Sequence, residues 1–459
     1  MTEPTQTPSA VRRILGVFSA RQGSNFRRNI IYVMRANIIA QAIVLLSTPL
    51  LSRLYSAEDF GRFALFSAIV AIAVSVSTGR FDWSIPNAGT AASAASLLLI
   101  GMLFLVATSL AAVLATVLAF MADNAILAQS KLGLAVFLIP LAMLGLGLAE
   151  QFNCWFVRQV DLQTMSHIKI AQGVSQAGFA VLAGFGGLGA VGLIGALILS
   201  TWVGIVIFAA NALGLLRRLT HTSRVRFATT FLRYRRDASL STAVSLINAL
   251  SFSVSTIMIV TFFSLQEAGW YALMLRLAVA PIGVISMAVG QSFWSIAAEL
   301  ARKGQWLDLR ALYLKTIGRL AWLVVPIAIG CGAGPFVVGP LFGSDEWGPA
   351  GYVLLAMAPH LIGVAVFSPT THLIVYRRQA YQFASDALAV ALTAISVYVA
   401  ARLGLGIIIC TMLVSLSILT GYVVRFFLHL RANSELSNKA RAVDLSSPSE
   451  NVTRDESRT

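Results

Sequence analysis

The sequence predicts an all-α membrane protein with twelve transmembrane helices in two six-helix lobes. Of the 459 residues, 57% are apolar and only 12% are charged, and the mean hydropathy is +0.79. A soluble protein carries about 25% charged residues, so this chain has too few of them to cover a soluble surface of its size. Apolar segments recur along the whole chain, and one short motif occurs in both halves.

Twelve segments are long and apolar enough to cross ~30 Å of hydrocarbon as helices of about 20 residues. They lie at 30–52, 61–79, 93–120, 132–151, 166–186, 188–213, 239–263, 269–294, 317–338, 351–374, 384–401 and 405–428. The division between the fifth and sixth segments is the weakest, because only the glycine-rich turn 184–189 separates them.

These segments divide the chain into five parts. They are a cytoplasmic N-terminal segment (1–29), an N-lobe (30–214), a basic cytoplasmic linker (215–238), a C-lobe (239–430) and a disordered cytoplasmic tail (431–459). The N-terminal segment is polar and has five arginines, and no A-x-A-like cleavage site closes the first apolar segment. The first segment is therefore predicted to be a retained helix and not a signal peptide. The tail is rich in Ser, Asn and charge, a composition that favours disorder.

The distribution of basic residues predicts the orientation. With the N terminus in the cytoplasm, 27 Lys and Arg residues fall in inside segments and four fall in outside segments. Basic residues concentrate in cytoplasmic loops, so both termini are predicted to be cytoplasmic. The net charge of +15 is then explained by anionic membrane lipid, and no nucleic-acid partner is expected. The linker 215–238 is interpreted as a topology anchor on the membrane surface, with a regulatory or partner site as the alternative.

An internal repeat predicts that the two lobes are related by duplication. The segments DFGRFAL, from Asp59, and EAGWYAL, from Glu267, share the pattern [DE]-x-G-x-[FY]-A-L at an offset of 208 residues. Each opens the second helix of a six-helix set, where an acidic residue and a glycine favour a tight turn and a helix start. Since six is even, the halves have the same orientation and are expected to be related by a pseudo-twofold axis along the membrane normal.

Three stretches resemble a known family. Residues 49–69 (PLLSRLYSAEDFGRFALFSAI) and 77–88 (STGRFDWSIPNA) resemble the N-terminal signature of bacterial polysaccharide-export flippases. Residues 341–359 (LFGSDEWGPAGYVLLAMAP) resemble the start of the tenth helix in the same family. These proteins are the O-antigen and related lipid-linked oligosaccharide translocases of the multidrug/oligosaccharidyl-lipid/polysaccharide (MOP) exporter superfamily.

The resemblance implies a function in polysaccharide biosynthesis at the bacterial inner membrane. A protein of this kind moves an undecaprenyl-diphosphate-linked oligosaccharide repeat unit from the cytoplasmic to the periplasmic leaflet by alternating access of two lobes. The products are O-antigen of lipopolysaccharide or exopolysaccharide. The partners implied are the lipid-linked oligosaccharide, membrane lipids and a polysaccharide polymerase of the same pathway.

Two intramembrane arginines are the best candidates for binding an anionic headgroup. Arg35 lies ~9 Å into segment 1 and Arg276 lies ~12 Å into segment 8, at 1.5 Å per residue. A buried diphosphate needs cationic partners. The alternative for both arginines is that their long side chains reach the headgroup layer.

Other polar residues are secondary candidates for substrate binding. They are Asn37 and Gln41 on one face of segment 1, Asn248 in a polar stripe of segment 7, and Arg53 at the outer end of segment 1. Packing hydrogen bonds are the alternative for Asn248, and an interface anchor is the alternative for Arg53.

Five further residues are candidates for gating or ion coupling. They are Arg80, Asp82, Glu150, His360 and Asp386. A salt bridge or cap, a carboxylate at the membrane interface and a packing histidine are the corresponding structural alternatives. These residues are candidates for binding a coupling proton or sodium ion, and no cofactor or metal site is expected.

Three other classes of protein are alternatives to the flippase. A multidrug and toxin extrusion-type cation antiporter is the main alternative, but segment 1 contains an arginine and no carboxylate, which favours an anionic substrate. Lipid II flippases resemble fourteen-helix proteins, and a non-transporting scaffold for polysaccharide assembly would need no intramembrane arginine. No enzyme activity is expected, because Walker A, GxSxG and HExxH motifs are absent from the sequence.

Overall fold

A computed structural model describes residues 22–122, 131–159, 161–211, 224–343, 345–369, 376 and 379–446. Within these ranges the regular structure is entirely helical. The α-helices are α1 (Gln22–Leu54), α2 (Ala57–Ser77), α3 (Ala91–Ala122), α4 (Ile139–Gln159), α5 (Leu162–Phe185), α6 (Gly189–Asn211), α7 (Arg224–Phe262), α8 (Leu265–Arg302), α9 (Trp306–Leu320), α10 (Val324–Phe342), α11 (Gly348–Ala356), α12 (Ala358–Val366), α13 (Gln379–Arg402) and α14 (Ile407–Ser446).

The helices follow the predicted segments closely. The first eight segments overlap α1 to α8, the ninth overlaps α9 and α10, the tenth overlaps the bent pair α11 and α12, and the last two overlap α13 and α14. In the described residues, nine helical spans are long and apolar enough to cross a membrane. The count is ten when α11 and α12, which are bent by 47° relative to each other, are taken as one span. The helices α5 and α8 are outside this set, so the count of twelve spans stays a prediction.

The helices pack as two lobes that meet through α2. In the N-lobe, α5 packs against α1 and α6, and α4 packs against α3 and α6. In the C-lobe, α13 packs against α7 and α14, and α10 packs against α11. The main contacts between the lobes are those of α2 with α7 and α8. Side chains from both lobes contribute to one large buried apolar cluster, which includes Phe66, Ile194, Tyr271 and Val353.

The repeated motif forms matching structures in the two lobes. Ser56 and Asp59 form a capping box at the start of α2, and Ser264 and Glu267 form one at the start of α8. In such a box each side chain satisfies a backbone N–H of the first helical turn that has no partner within the helix. The acidic residue of the motif therefore starts a helix, as the sequence predicts.

The glycine of the motif has a different role from the predicted tight turn. Gly61 and Gly269 lie inside α2 and α8, one turn after the helix start. A Cβ atom on Gly61 would overlap the Leu265 carbonyl, and one on Gly269 would overlap the Ala57 carbonyl. Each glycine thus lets the first turn of the other helix approach closely, as small residues do in membrane helix packing. Ala57 corresponds to Leu265, and Gly61 corresponds to Gly269, each at the offset of 208 residues. The pseudo-twofold axis therefore relates the two contacts to each other.

Two predicted segment boundaries differ from those in the structure. Helix α14 continues to Ser446, although the disordered tail is predicted to start at residue 431. The extension is explained by packing, since Ala432 is buried in an apolar cluster with α9 and the Asn433 side chain donates to the Trp306 carbonyl at 2.9 Å. Helix α7 begins at Arg224, so part of the basic linker is helical. Residues 447–459 lie outside the described residues.

Candidate functional site

Arg276 lines a cavity between the two lobes. The cavity has a volume of about 440 Å³ and lies between α2, α7 and α8. Its lining is mainly apolar and includes Phe60, Phe63 and Phe252. Phe252 is 67% exposed, so the cavity is open and not enclosed. Arg276 is the one charged side chain of this lining, and no carboxylate lies within ion-pair distance of it in the part of the chain that the structure describes.

Hydroxyl groups from two helices line the same cavity. They belong to Ser67 on α2 and to Ser253 and Thr256 on α7. The Ser67 oxygen is buried and has no hydrogen-bond partner among the described residues. Ser253 and Thr256 are also buried. The cavity therefore offers one guanidinium group and three hydroxyl groups within an apolar wall.

Arg276 also faces the N-lobe across the lobe interface. It lines a small gap together with Ser47 of α1, Gln176 of α5 and apolar side chains of α1, α5 and α6. A guanidinium group has five N–H donors that match the oxygen atoms of a phosphate or carboxylate. Burial of an unpaired cation is unfavourable, and an anionic ligand relieves that cost. The geometry around Arg276 thus fits an anion with an apolar neighbour.

A second arginine, Arg80, has a different environment within the N-lobe. Its side chain forms ion pairs with Glu150 and, at 3.8 Å, with Asp82. Its Nε donates to the Ser75 carbonyl at 3.0 Å, and the Thr78 hydroxyl donates to Asp82 at 2.7 Å. Arg80 and Asp82 are both buried. The structure therefore brings together three residues that the sequence grouped as gating or ion-coupling candidates.

The backbone at Arg80 is in the left-handed region, with φ at +54°. A residue with a side chain adopts this conformation only where its surroundings hold it there. The backbone N–H of Arg80 donates to the Thr78 hydroxyl at 3.2 Å, and its guanidinium lies over the Trp83 ring at 5.1 Å. These contacts use the donors of Arg80 inside the protein, so its charge is already compensated.

The remaining coupling candidates lie in the C-lobe. Asp386 on α13 forms an ion pair with Arg425 on α14, and Arg425 also donates to the Ser385 hydroxyl at 3.0 Å. His360 is buried in the first turn of α12, directly after the bend that separates this helix from α11. Neither residue contacts the Arg80 cluster. Among the described residues, no group of three His, Cys, Asp or Glu side chains is placed to hold a metal ion.

The other substrate-binding candidates do not join Arg276. Arg35 and Gln41 are exposed on α1, Asn37 is half-buried, and Asn248 is exposed on α7. None of these four residues lines the cavity at Arg276. The structure therefore does not bring Arg35 and Arg276 together into one described site.

Arg53 lies in the last turn of α1 beside a different cavity. This cavity has a volume of about 540 Å³ and is also lined by Tyr55 and Glu346. Tyr55 donates to the Ala180 carbonyl at 2.6 Å. Burial, together with the charge of Asp59, raises the pKa of Tyr55 to about 12, so this donor remains protonated at neutral pH. The cavity is polar and differs in this respect from the one at Arg276.

The hydroxyl groups around Arg276 are not predicted by the sequence. Ser67, Ser253 and Thr256 have no distinguishing pattern, because many helices of this chain carry isolated serines and threonines. The polar stripe predicted on segment 7 lies on a neighbouring face, where Ser255 accepts a hydrogen bond from the Tyr271 hydroxyl at 3.1 Å. Only the packing of α2 against α7 and α8 identifies which hydroxyl groups share a cavity.

Comparisons with known proteins give a family and a fold. Residues 50–350 match the sequence profile of the family described as "Polysaccharide biosynthesis protein". No protein of curated function matches the chain in sequence. An inward-facing MATE-family multidrug transporter of the MOP superfamily is similar in structure, with a TM-score of 0.58, 15% identity and coverage of 89% of this chain and 96% of that chain.

Two further solved structures have the same fold. A MOP superfamily transporter from Pyrococcus furiosus has a TM-score of 0.52 and 14% identity, over 89% of this chain and 96% of that chain. A MATE transporter mutant from Vibrio cholerae has a TM-score of 0.51 and 12% identity, over 90% of this chain and 96% of that chain. The fold is therefore that of MOP superfamily transporters. The described residues contain nine or ten spans long and apolar enough to cross a membrane, as a multi-pass membrane protein requires.

Proposed function

Because the chain belongs to the polysaccharide biosynthesis protein family and has the fold of MOP superfamily transporters, we propose that it is a flippase for lipid-linked oligosaccharide. The substrate is an undecaprenyl-diphosphate-linked repeat unit, moved from the cytoplasmic to the periplasmic leaflet of the bacterial inner membrane. Transport proceeds by alternating access of the two lobes and supplies O-antigen or exopolysaccharide synthesis. Both termini are cytoplasmic, and the protein acts as a transporter and not as an enzyme.

The observation that carries this proposal is the charge at the lobe interface. Arg276 faces an open apolar cavity with three hydroxyl groups and no described carboxylate. A diphosphate supplies the missing negative charge and accepts hydrogen bonds from the guanidinium and from the hydroxyl groups. The phenyl rings of Phe60, Phe63 and Phe252 suit the apolar start of the polyprenyl chain. Because the cavity is open, the rest of that chain can remain in the membrane.

The alternative is a multidrug and toxin extrusion-type cation antiporter. One observation favours it, since two of the similar solved structures are MATE transporters. The sign of the cavity charge disfavours it, because a cationic drug beside Arg276 would be repelled. The Pyrococcus furiosus relative is described as having a binding pocket of reversed polarity that suggests a different function. The Arg276 cavity carries a positive charge, whereas a site that binds cations carries negative charge. The polarity of the Arg276 cavity is therefore also reversed.

Energy for transport is proposed to come from an ion gradient or from downstream use of the product, with no bound cofactor. Glu150 is the best candidate for a coupling group, because its side chain is 41% exposed while its partner Arg80 is buried. A proton or sodium ion at Glu150 would compete with Arg80 for the carboxylate. Consumption of the flipped substrate by a polymerase of the same pathway would also favour one direction.

Reconstitution in liposomes tests the proposed function. The purified protein is inserted into vesicles that contain a fluorescent undecaprenyl-diphosphate oligosaccharide, and translocation is followed by quenching from outside. The expected result is translocation of this lipid and no pH-driven efflux of a cationic dye. Dye efflux without translocation of any lipid-linked glycan would contradict the flippase and support the antiporter. Failure of both assays would favour a non-transporting scaffold.

A further inference from the structure

Two contacts at the outer end of the molecule join a charged side chain of one lobe to a helix terminus of the other. The outer end is the end formed by the turns at 55–56 and 263–264 and by residues 345–347. The carboxylate of Glu346, in the C-lobe, accepts a hydrogen bond from the backbone N–H of Ala57 at 2.8 Å. The ammonium group of Lys131, in the N-lobe, donates to the carbonyls of Val260 and Phe263, the latter at 2.8 Å.

Both contacts are complementary in charge to the helix ends that they bind. Ala57 is the first residue of α2, and its N–H has no partner within the helix. Val260 lies in the last turn of α7, and Phe263 follows the end of that helix, so their carbonyls are also without helical partners. The positive N-terminus of α2 thus meets a carboxylate, and the negative C-terminus of α7 meets an ammonium group.

The two contacts occupy corresponding places in the repeat. The turn between α1 and α2 corresponds to the turn between α7 and α8, as the capping boxes show. Lys131 precedes α4, the fourth helix of the N-lobe, and Glu346 precedes α11, which opens the fourth predicted segment of the C-lobe. In each lobe, the connection before the fourth segment contacts the turn between the first two helices of the other lobe. The N-lobe contributes an ammonium group to this contact, and the C-lobe contributes a carboxylate.

Two tryptophans strengthen the contact around Glu346. The indole nitrogen of Trp270 donates to the Glu346 carbonyl at 2.9 Å. The indole nitrogen of Trp347 donates to the Ser52 carbonyl at 3.0 Å, so it links the C-lobe to the end of α1. The salt bridge of Arg62 with Glu58 lies at the same end but within α2 alone, at 3.4 Å. Contacts of Glu346 and Lys131 cross the lobe interface, whereas that of Arg62 does not.

We propose that Glu346 and Lys131 form an outer gate, which holds the lobes together at this end and breaks when the lobes open there. The proposal rests on alternating access of the two lobes, as stated above for the flippase. Loss of one charge-assisted hydrogen bond across the interface is expected to raise the ratio of outer-open to outer-closed molecules about tenfold. Loss of both is expected to raise it further.

Distances between spin labels measure this ratio directly. The labels are placed at Leu188 and Leu403, which are exposed in outer turns of the N-lobe and the C-lobe. The background carries alanine in place of Cys154, Cys331 and Cys410, and the protein is studied in lipid nanodiscs by double electron–electron resonance.

The variants separate the gate from general changes at the outer end. Glu346→Ala and Lys131→Met are each expected to increase the population at long distance about tenfold. Glu346→Gln keeps an acceptor for the Ala57 N–H without the charge and is expected to give a smaller increase. Arg62→Ala, the matched control, is expected to leave the distances unchanged. Unchanged distances in both Glu346→Ala and Lys131→Met, in well-folded protein, would overturn the proposal.

A second label pair distinguishes opening of the lobes from local loosening. Asn87 and Gln305 are exposed near the opposite end, in the N-lobe and the C-lobe. If the outer gate controls the whole movement, the same variants bring this pair closer together as the outer pair separates. A change at the outer pair alone would overturn the gate and indicate only local loosening. None of these distance measurements needs a substrate, so they test the gate even if the protein does not transport lipid-linked oligosaccharide.

Discussion

Arg80 is buried and Arg276 is half-buried, and their guanidinium groups have opposite surroundings. Arg80 lies within one lobe, where it contacts Asp82, Glu150 and a backbone carbonyl. Arg276 lies between the lobes and faces a cavity that contains hydroxyl groups and no described carboxylate. Arg425 resembles Arg80, because it is paired with a carboxylate of a neighbouring helix. The charges of Arg80 and Arg425 are thus compensated within the protein, whereas the charge of Arg276 has no carboxylate partner among the described residues.

This comparison predicts opposite consequences for stability and for transport. Removal of one partner from a buried ion pair leaves the other charge without compensation, which is strongly destabilising. Removal of a cation that has no partner relieves an unfavourable burial. Loss of Arg80 should therefore lower the stability of the protein, and loss of Arg276 should lower the transport of substrate. The predictions below test this division, from the largest expected effect to the smallest.

Arg80→Met is expected to have the largest effect on stability. It leaves Asp82, which is 1% exposed, without its cation, and breaking such a pair costs about 3–5 kcal/mol. Thermal unfolding in detergent should show a clear decrease in melting temperature. The double variant Arg80→Met/Asp82→Leu should recover part of the loss, because it removes both charges. A melting temperature of Arg80→Met equal to that of the wild type would contradict the structural role of the pair.

Arg276→Met is expected to reduce transport about 100-fold, which corresponds to about 2.7 kcal/mol for the loss of two charged hydrogen bonds to phosphate. The melting temperature should remain the same or increase. Translocation of the fluorescent lipid in liposomes measures the first effect. Arg402→Met is the control, because Arg402 is an exposed arginine in the last turn of α13 and lines neither the Arg276 cavity nor the one beside Arg53. Equal losses of transport in the two variants would show that the effect is not specific to Arg276.

Gly61→Ala tests whether the Arg276 cavity depends on the close approach of the lobes. The added methyl group would overlap the Leu265 carbonyl, and strain of this kind costs about 1–3 kcal/mol. Transport should decrease because α2 and α8 form two walls of the cavity, while the Arg80 cluster should be unaffected. Gly178→Ala is the matched control, since a Cβ atom there meets no neighbour within 4 Å. Normal transport by Gly61→Ala would argue against this dependence.

Thr256→Val is expected to give the smallest effect, a decrease in transport of about fivefold, or ~1 kcal/mol for one hydrogen bond. The change removes a hydroxyl group from the Arg276 cavity and keeps the shape of the side chain. The neighbouring variant Ser255→Ala leaves the buried Tyr271 hydroxyl without its partner, so it should lower stability and not transport. If the two variants gave the same pattern, the hydroxyl groups of the cavity would have no specific role.

Much of the fold follows from the sequence. Apolar length predicts where the helices lie, and the motif at Asp59 and Glu267 predicts the duplication that the two capping boxes confirm. The tight turn predicted at Gly61 and Gly269 is wrong, because a glycine after an acidic residue is equally consistent with a turn and with close helix packing. Only the position of one helix against the other distinguishes the two roles.

Pairing of charges is the part that the sequence cannot supply. Glu150 follows Arg80 by 70 residues and Arg425 follows Asp386 by 39 residues, so no local pattern indicates that either pair is formed. Arg276 is recognisable in the sequence, because a charge inside an apolar segment is unusual. That it lacks a carboxylate partner in the described part of the chain, while Arg80 has two, depends on tertiary packing.

Binding of two lipids that differ only in phosphate tests the central claim most directly. The affinity of the purified protein for undecaprenyl diphosphate and for undecaprenol is measured for the wild type and for Arg276→Met. If Arg276 binds the anionic headgroup, the variant binds the diphosphate at least about tenfold more weakly and binds undecaprenol as the wild type does. Equal affinity of both proteins for undecaprenyl diphosphate would contradict the claim that Arg276 binds the headgroup. An equal loss of affinity for both lipids in the variant would also contradict it.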